Sequence, residues 1–190
     1  MSNSPLDGAI AELGPVPAAF HFANHVAYGQ LRTLIRSVEG FSQYSQRTFR
    51  SLVHDHTWVV ARQLLAEHPD CAFVQDSGTE VLRVGRRHVI QIHKIDELRR
   101  ISDNGTARSL EIQGQGYLWQ IGAAPIDGDI WLTIGHQPNP FTNAPESIVI
   151  GVALEDGMTE FRHVDPDVDT IAALGPQAAD TVRRLRDLSA

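Results

Sequence analysis

The chain has 190 residues, 42% of them hydrophobic, 21% charged and 7% aromatic, which is the composition of a folded domain and not of a disordered or fibrous chain. At this length folding buries roughly 70% of the surface that the unfolded chain exposes, so a full core forms without disulfides. The single cysteine, Cys71, has no internal partner and fits a reducing cytoplasm, and the formal charge of -7 argues against a protein that coats nucleic acid.

The charge is unevenly divided. Residues 30–108 carry 12 basic and 9 acidic side chains, whereas residues 109–190 carry 4 and 12, so direct nucleic-acid binding is not expected. Arginine supplies 15 of the 16 basic residues, and the lone lysine is Lys94; this bias reads as genome composition before it reads as phosphate chemistry. No basic run precedes an apolar core at the N-terminus, and no apolar stretch approaches the roughly 20 residues of a membrane span, so neither export nor a membrane location is expected.

The small-residue start, residues 1–16, reads as a loose arm. From Pro17, Phe20, Ala23, Ala27, Leu31, Leu34, Ile35 and Val38 recur at three-to-four spacing and predict a helix that Gly40 ends. Phe49, Leu52, Val53, Val60, Leu64 and Leu65 predict a second helix, stopped at His68-Pro69. Short β-rich runs follow at Cys71–Gln75, Thr79–Val84 and His88–Ile95, with Asp76-Ser77-Gly78 as a turn between the first two. A short helix over Ala107–Ile112 and a strand over Tyr117–Ile121 are expected next, then strands at Ile130–His136, Ile148–Leu154 and Glu160–His163. Pro138, Pro140 and Pro145 mark an irregular loop. A last helix spans Pro176–Leu188, with arginines near its negative C-terminal end. The pattern predicts one α+β domain: a helical part over 17–68, a sheet part over 69–165 and a C-terminal helix over 166–190. Two N-terminal helices and that last helix are expected to pack on a mostly antiparallel sheet.

Three groups of residues bear on chemistry. His21 and His25 lie four apart on the first predicted helix, but the segment lacks the glutamate of a His-Glu-x-x-His hydrolase, so no metal or other cofactor is expected. His54, Asp55 and His56, with Arg47 and Arg50 before them and Lys94 and Asp96 in the sheet region, are the residue types of a nuclease or phosphotransfer enzyme. The histidines, Lys94 and Asp96 would move protons and the arginines would bind phosphate. Successive helical residues point about 100° apart, so His54, Asp55 and His56 cannot all face one pocket. Strand alternation places Lys94 and Asp96 on one side and His93 on the other. No Gly-x-Ser-x-Gly elbow and no glycine loop opening a helix is present. The balance therefore leans away from an enzyme.

The third group is Gln113-Gly114-Gln115-Gly116-Tyr117-Leu118-Trp119. A leucine and a tryptophan bury large apolar area in a preformed groove while a glutamine exchanges hydrogen bonds with its rim. The same residues also read as a strand whose Tyr117, Trp119 and Ile121 fill one face of a sheet. Gln115-Gly116-Tyr117-Leu118-Trp119 resembles the Gln-x-x-Leu-aromatic peptide by which bacterial proteins dock on the DNA polymerase sliding clamp. Over about Arg47 to Asp165, the order of Arg-Thr, His-Asp-His, a hydrophobic hairpin and Lys-x-Asp is similar to bacterial proteins that accompany antitoxin genes. The chain thus resembles toxin subunits of toxin–antitoxin modules, of the SocB-like, sliding-clamp-binding kind. That resemblance implies a cytoplasmic growth inhibitor that stops DNA replication, with Gln115, Leu118 and Trp119 as clamp contacts and an antitoxin as a second partner.

Overall fold

A computed structural model describes residues 4–37, 46–76, 79–95, 129–138, 145–154, 157–164, 167–172 and 174–187. Its elements in chain order are α1 (Pro5–Leu13), α2 (Val16–Ser37), α3 (Gln46–Leu65), β1 (Cys71–Asp76), β2 (Thr79–Val84), β3 (His88–Lys94), β4 (Ile130–Pro138), β5 (Pro145–Leu154), β6 (Gly157–His163), α4 (Val168–Ala172) and α5 (Pro176–Asp187). The chain is α+β, with N-terminal helices, a six-stranded mostly antiparallel sheet and a C-terminal helix. It groups into two compact units. One holds residues 1–17, 70–138 and 146–164; the other holds residues 18–69, 139–145 and 165–190.

Where a loose arm was expected, Pro5–Leu13 is helical. Ser4 caps it, its Oγ accepting from the Leu6 N–H at 3.1 Å, and Pro5 stands at the first turn, where a missing N–H costs nothing. Leu6, Ala9 and Leu13 are buried along one side, and Gly14, at φ 54°, ends the helix in a conformation that favours glycine. The stripe is only three residues long, two of them leucines, which is too short for periodicity to stand out. α1 is tied to the sheet by Ser4 Oγ donating to Glu160, by Arg162 Nε donating to Asp7 Oδ1 at 2.7 Å, and by Glu12 near His88.

The six strands lie side by side in sequence order. β1–β2, β2–β3 and β5–β6 are antiparallel, as expected of the hairpin signals, but β3 and β4 run parallel, from His88 opposite Ile130 to Lys94 opposite His136. Strand alternation then separates two apolar sets. Val81, Val89 and Trp131 cluster with Val74, while Leu82, Ile90 and Leu132, fully buried neighbours in register, occupy the alternate positions. Gln91 and Thr133 are buried partners in the same parallel pair, the Gln91 Nε2 donating to Thr133 Oγ1 at 3.2 Å, which satisfies two polar groups removed from water. At the far side Ile95, Val149 and Phe161 pack together, and Gly151 lies opposite Phe161 next to a register shift at Val152/Ala153. Proline ends β4 and begins β5, positions where a strand tolerates the lost N–H.

In the helical unit Ala27, Tyr28, Leu31 and Val53 form a core with Phe49 and Leu52 against it, the predicted faces of α2 and α3 meeting there, whereas Leu34, expected in the α2 stripe, is 40% exposed. Phe20 meets Trp58 edge to face at 5.3 Å between ring centres, and Asn24 Nδ2 donates to Thr57 Oγ1 at 3.3 Å between the same two helices. Asp167 caps α4 by accepting from the Thr170 N–H at 3.0 Å, and α5 buries Ala178, Val182 and Leu185. Arg184 of α5 donates to Gln63 of α3 at 3.2 Å. The short helix expected at 107–112 and the strand expected at 117–121 lie outside the described residues.

Candidate functional site

The His-Asp-His segment sits in the middle of α3, and the helix sends its two imidazoles to different surroundings. His54 Nε2 accepts from the Trp58 indole N–H at 3.4 Å, one turn along, which leaves Nδ1 to carry the proton and donate to Asp55 Oδ1 at 3.2 Å. Trp58 is buried against Phe20, so His54 is fastened to the helical core while its own side chain stays 39% exposed. His56 Nε2 lies 2.6 Å from Gln30 Oε1 on α2, and donates to it. Desolvation lowers the His56 pKa and so disfavours the charged ring. Two residues apart on a helix is about 200° of rotation, and the separate partners of His54 and His56 express it.

Of the other members of the expected phosphotransfer group, the side chains of Arg47, Arg50 and Lys94 and all of Asp96 lie outside those described. Arg47 and Arg50 occupy the first turns of α3. Lys94 ends β3 in the sheet unit, opposite His136 in the register. Gln115, Leu118 and Trp119 also lie outside them. Sequence reading passed over the buried imidazoles of the sheet. His136 is 3% exposed at the end of β4, and His88 is 6% exposed at the start of β3 with its Nε2 3.5 Å from Glu12 Oε2. β4 is buried on both faces, Trp131 and Thr133 on one and Ile130, Leu132, Ile134 and His136 on the other, so the available signal was a continuous apolar run rather than parity.

The remaining polar groups are mostly engaged. Cys71, half-buried at the start of β1, has its thiol pushed up to about 11 by burial and by the neighbouring Asp70 carboxylate, which removes the thiolate a nucleophile requires. An open groove between α3 and α5 is lined by Gln63, Gln177, Asp180, Thr181, Arg183 and Arg184. Its two arginines already hold partners, Arg183 donating to Asp180 at 3.1 Å and Arg184 to Gln63. On α2 the His21 and His25 rings stack, 4.6 Å between centres and 24° between planes. No group of three or more His, Cys, Asp or Glu side chains is disposed to hold a metal ion among the described residues, and no helix among them is long and apolar enough to cross a membrane.

Comparisons of this chain with protein-family models, with curated proteins and with solved structures find no match.

Proposed function

We propose that this chain is a protein-binding growth inhibitor of the bacterial cytoplasm. Its target is a replication protein, the DNA sliding clamp, engaged through Gln115, Leu118 and Trp119, and a cognate antitoxin restrains it. The observation that carries the reading is the strand order. All five junctions of the sheet are filled by the six described strands, and β3 pairs directly with β4. The Gln-x-x-Leu-Trp segment belongs in sequence to the connection between those two strands. A parallel pair in any case requires a long connection of a dozen or more residues, which is room for a recognition peptide.

The separate engagements of His54 and His56 support the same reading from the other side, because a phosphotransfer centre needs those rings to act on one reacting group. Binding through a short peptide needs no such convergence.

The experiment is a pull-down from bacterial lysate with the wild-type chain and with the Leu118→Ala/Trp119→Ala variant, both checked for an unchanged circular dichroism melt. Capture of the sliding clamp by the wild type and its loss with the variant is the expected result. Equal capture by both chains, or capture by neither, rejects the assignment of these residues.

A further inference from the structure

α1 is fastened to the sheet at three polar contacts, and one of them differs in kind. Ser4 donates to Glu160, and Arg162 donates to Asp7 at 2.7 Å. The third, in the last turn of the helix, sets Glu12 Oε2 3.5 Å from Nε2 of His88 at the start of β3. This imidazole is 6% exposed, and its Nε2 is buried with no hydrogen-bond partner. The ring also bonds to the Val84 backbone, where a carbonyl can only accept, so the neutral ring carries its proton on Nδ1 and turns a bare lone pair toward Glu12. Two acceptors then face one another with no proton between them. We infer that α1 is a strap on the sheet whose hold is set by the protonation of His88, and that acid loosens it.

A proton on Nε2 completes the contact with Glu12, but it also places a charge on a ring withdrawn from water. The two effects are unequal. The Glu12 side chain is 71% exposed, so solvent screens its attraction, whereas the ring itself is buried. Burial therefore outweighs the attraction of Glu12, Arg87 adds repulsion, and the balance holds the His88 pKa below its ordinary value. When the last turn of α1 lifts, water reaches Nε2 and the ring titrates near 6.5. The loosened state thus binds the proton better than the docked one. Docking is at full strength above that value and weakens as pH falls through it and through the lowered one.

The surroundings of the ring assign this dependence to one group. Among the described residues, Glu12 from α1 and Arg87, the residue before it, are the charged groups that bear on His88; β2 supplies the Val84 carbonyl and β4 sets Ile130 opposite. The neighbouring tie does not share the titration, because the hydrogen bond from Arg162 holds the Asp7 carboxyl below its usual value and keeps it ionised. The apolar hold of α1 is the three-residue stripe Leu6, Ala9 and Leu13, a short element of the sort that opens ahead of global unfolding.

Amide hydrogen exchange of the full chain, followed by mass spectrometry at about pH 7.5 and about pH 5, reads this docking as the protection of residues 5–13 relative to intrinsic exchange at each pH. α5, which contains no histidine, is the control. On acidification the wild type should lose protection in α1 by a larger factor than in α5, and His88→Gln should lack that excess. Glu12→Gln distinguishes the proton from packing. Its amide donates to Nε2, so α1 should be better protected than in the wild type at about pH 7.5, and without the carboxylate that favours the charged ring the fall to about pH 5 should be steeper. Equal losses in α1 and α5 of the wild type, an excess that persists in His88→Gln, or a wild-type pH dependence in Glu12→Gln overturns the inference.

Discussion

Adding a single methyl group at residue 151 should damage the sheet more than most substitutions of its size. A Cβ at Gly151 would stand 2.2 Å from the Glu160 carbonyl oxygen and 2.8 Å from both Cα and Cβ of Phe161. Ordinary contact begins near 3.4 Å, so the shortfall against the carbonyl is about 1 Å, well up the repulsive wall. The obstacle is backbone, which cannot rotate aside as a side-chain tip does. β6 must retreat as a strand, and it carries Glu160 and Arg162, the residues that fasten Ser4 and Asp7 of the α1 region, and Phe161, which packs on Ile95 and Val149. Overpacking of this kind costs about 3 kcal/mol, at the upper end of its usual range. Reduced freedom of the unfolded chain returns about 0.4–1 kcal/mol, leaving a net loss of about 2–3 kcal/mol. In a chain of this size that lowers the melting temperature by about 5–10 °C, read by circular dichroism or calorimetry. Gly8→Ala is the matched control: it lies in α1, a Cβ there meets nothing within 4 Å, and replacing a helical glycine with alanine stabilises by about 0.5–1 kcal/mol. A Gly151→Ala protein that melts at or above the wild type would refute the reasoning.

Further outcomes follow from the same contacts. Leu6→Ala, at a side chain with no exposure, should cost about 2–5 kcal/mol in a chemical denaturation curve, whereas Asp7→Asn, at an exposed ion pair, should shift that curve far less; the reverse order would show that charge and not apolar burial holds α1. Desolvation lowers the pKa values of His25, His56 and His88, and at His88 the Glu12 carboxylate opposes the shift while Arg87 adds to it. The unfolded chain therefore takes up more protons than the folded one below the ordinary value of 6.5, so stability is complete above it and declines as pH falls through the lowered values. Denaturation series at about pH 7 and pH 5 should show that loss, with a smaller one in His88→Gln; an equal slope in both proteins would contradict the burial argument. Cys71, with its thiol near 11, should label slowly with a thiol reagent at about pH 8 and promptly once guanidinium unfolds the chain, and equal rates would mean an accessible, ordinary thiol.

The elements that local pattern encodes were legible in the sequence. The stripe from Phe20 to Leu31 and the one from Phe49 to Leu65 are helices with those faces buried, and the β-rich runs from Cys71 to Lys94 form an antiparallel meander. What was not legible is what depends on residues far apart in the chain. Nothing in the alternation of His88–Lys94 or of Ile130–His136 records that these strands run parallel, because a strand's pattern fixes which face is buried and not which neighbour it takes. α1 was missed for a different reason: its stripe is short, and its cap and glycine stop become informative only once Leu6 and Leu13 are known to be buried. The candidate site divides the same way. The turn of the helix already separated His54 from His56, and Trp58 one turn beyond His54 is a neighbour by spacing alone. Gln30, the partner of His56, lies on another helix and required the fold.

The most direct test of the central claim is titration of the purified chain with the purified bacterial sliding clamp, followed by calorimetry and repeated in the presence of a peptide that occupies the clamp's hydrophobic groove. The account predicts saturable binding that the groove peptide displaces and that Leu118→Ala/Trp119→Ala abolishes while the variant's melt is unchanged. Binding that survives both the competitor and the double substitution, or no binding by the wild-type chain, would contradict it.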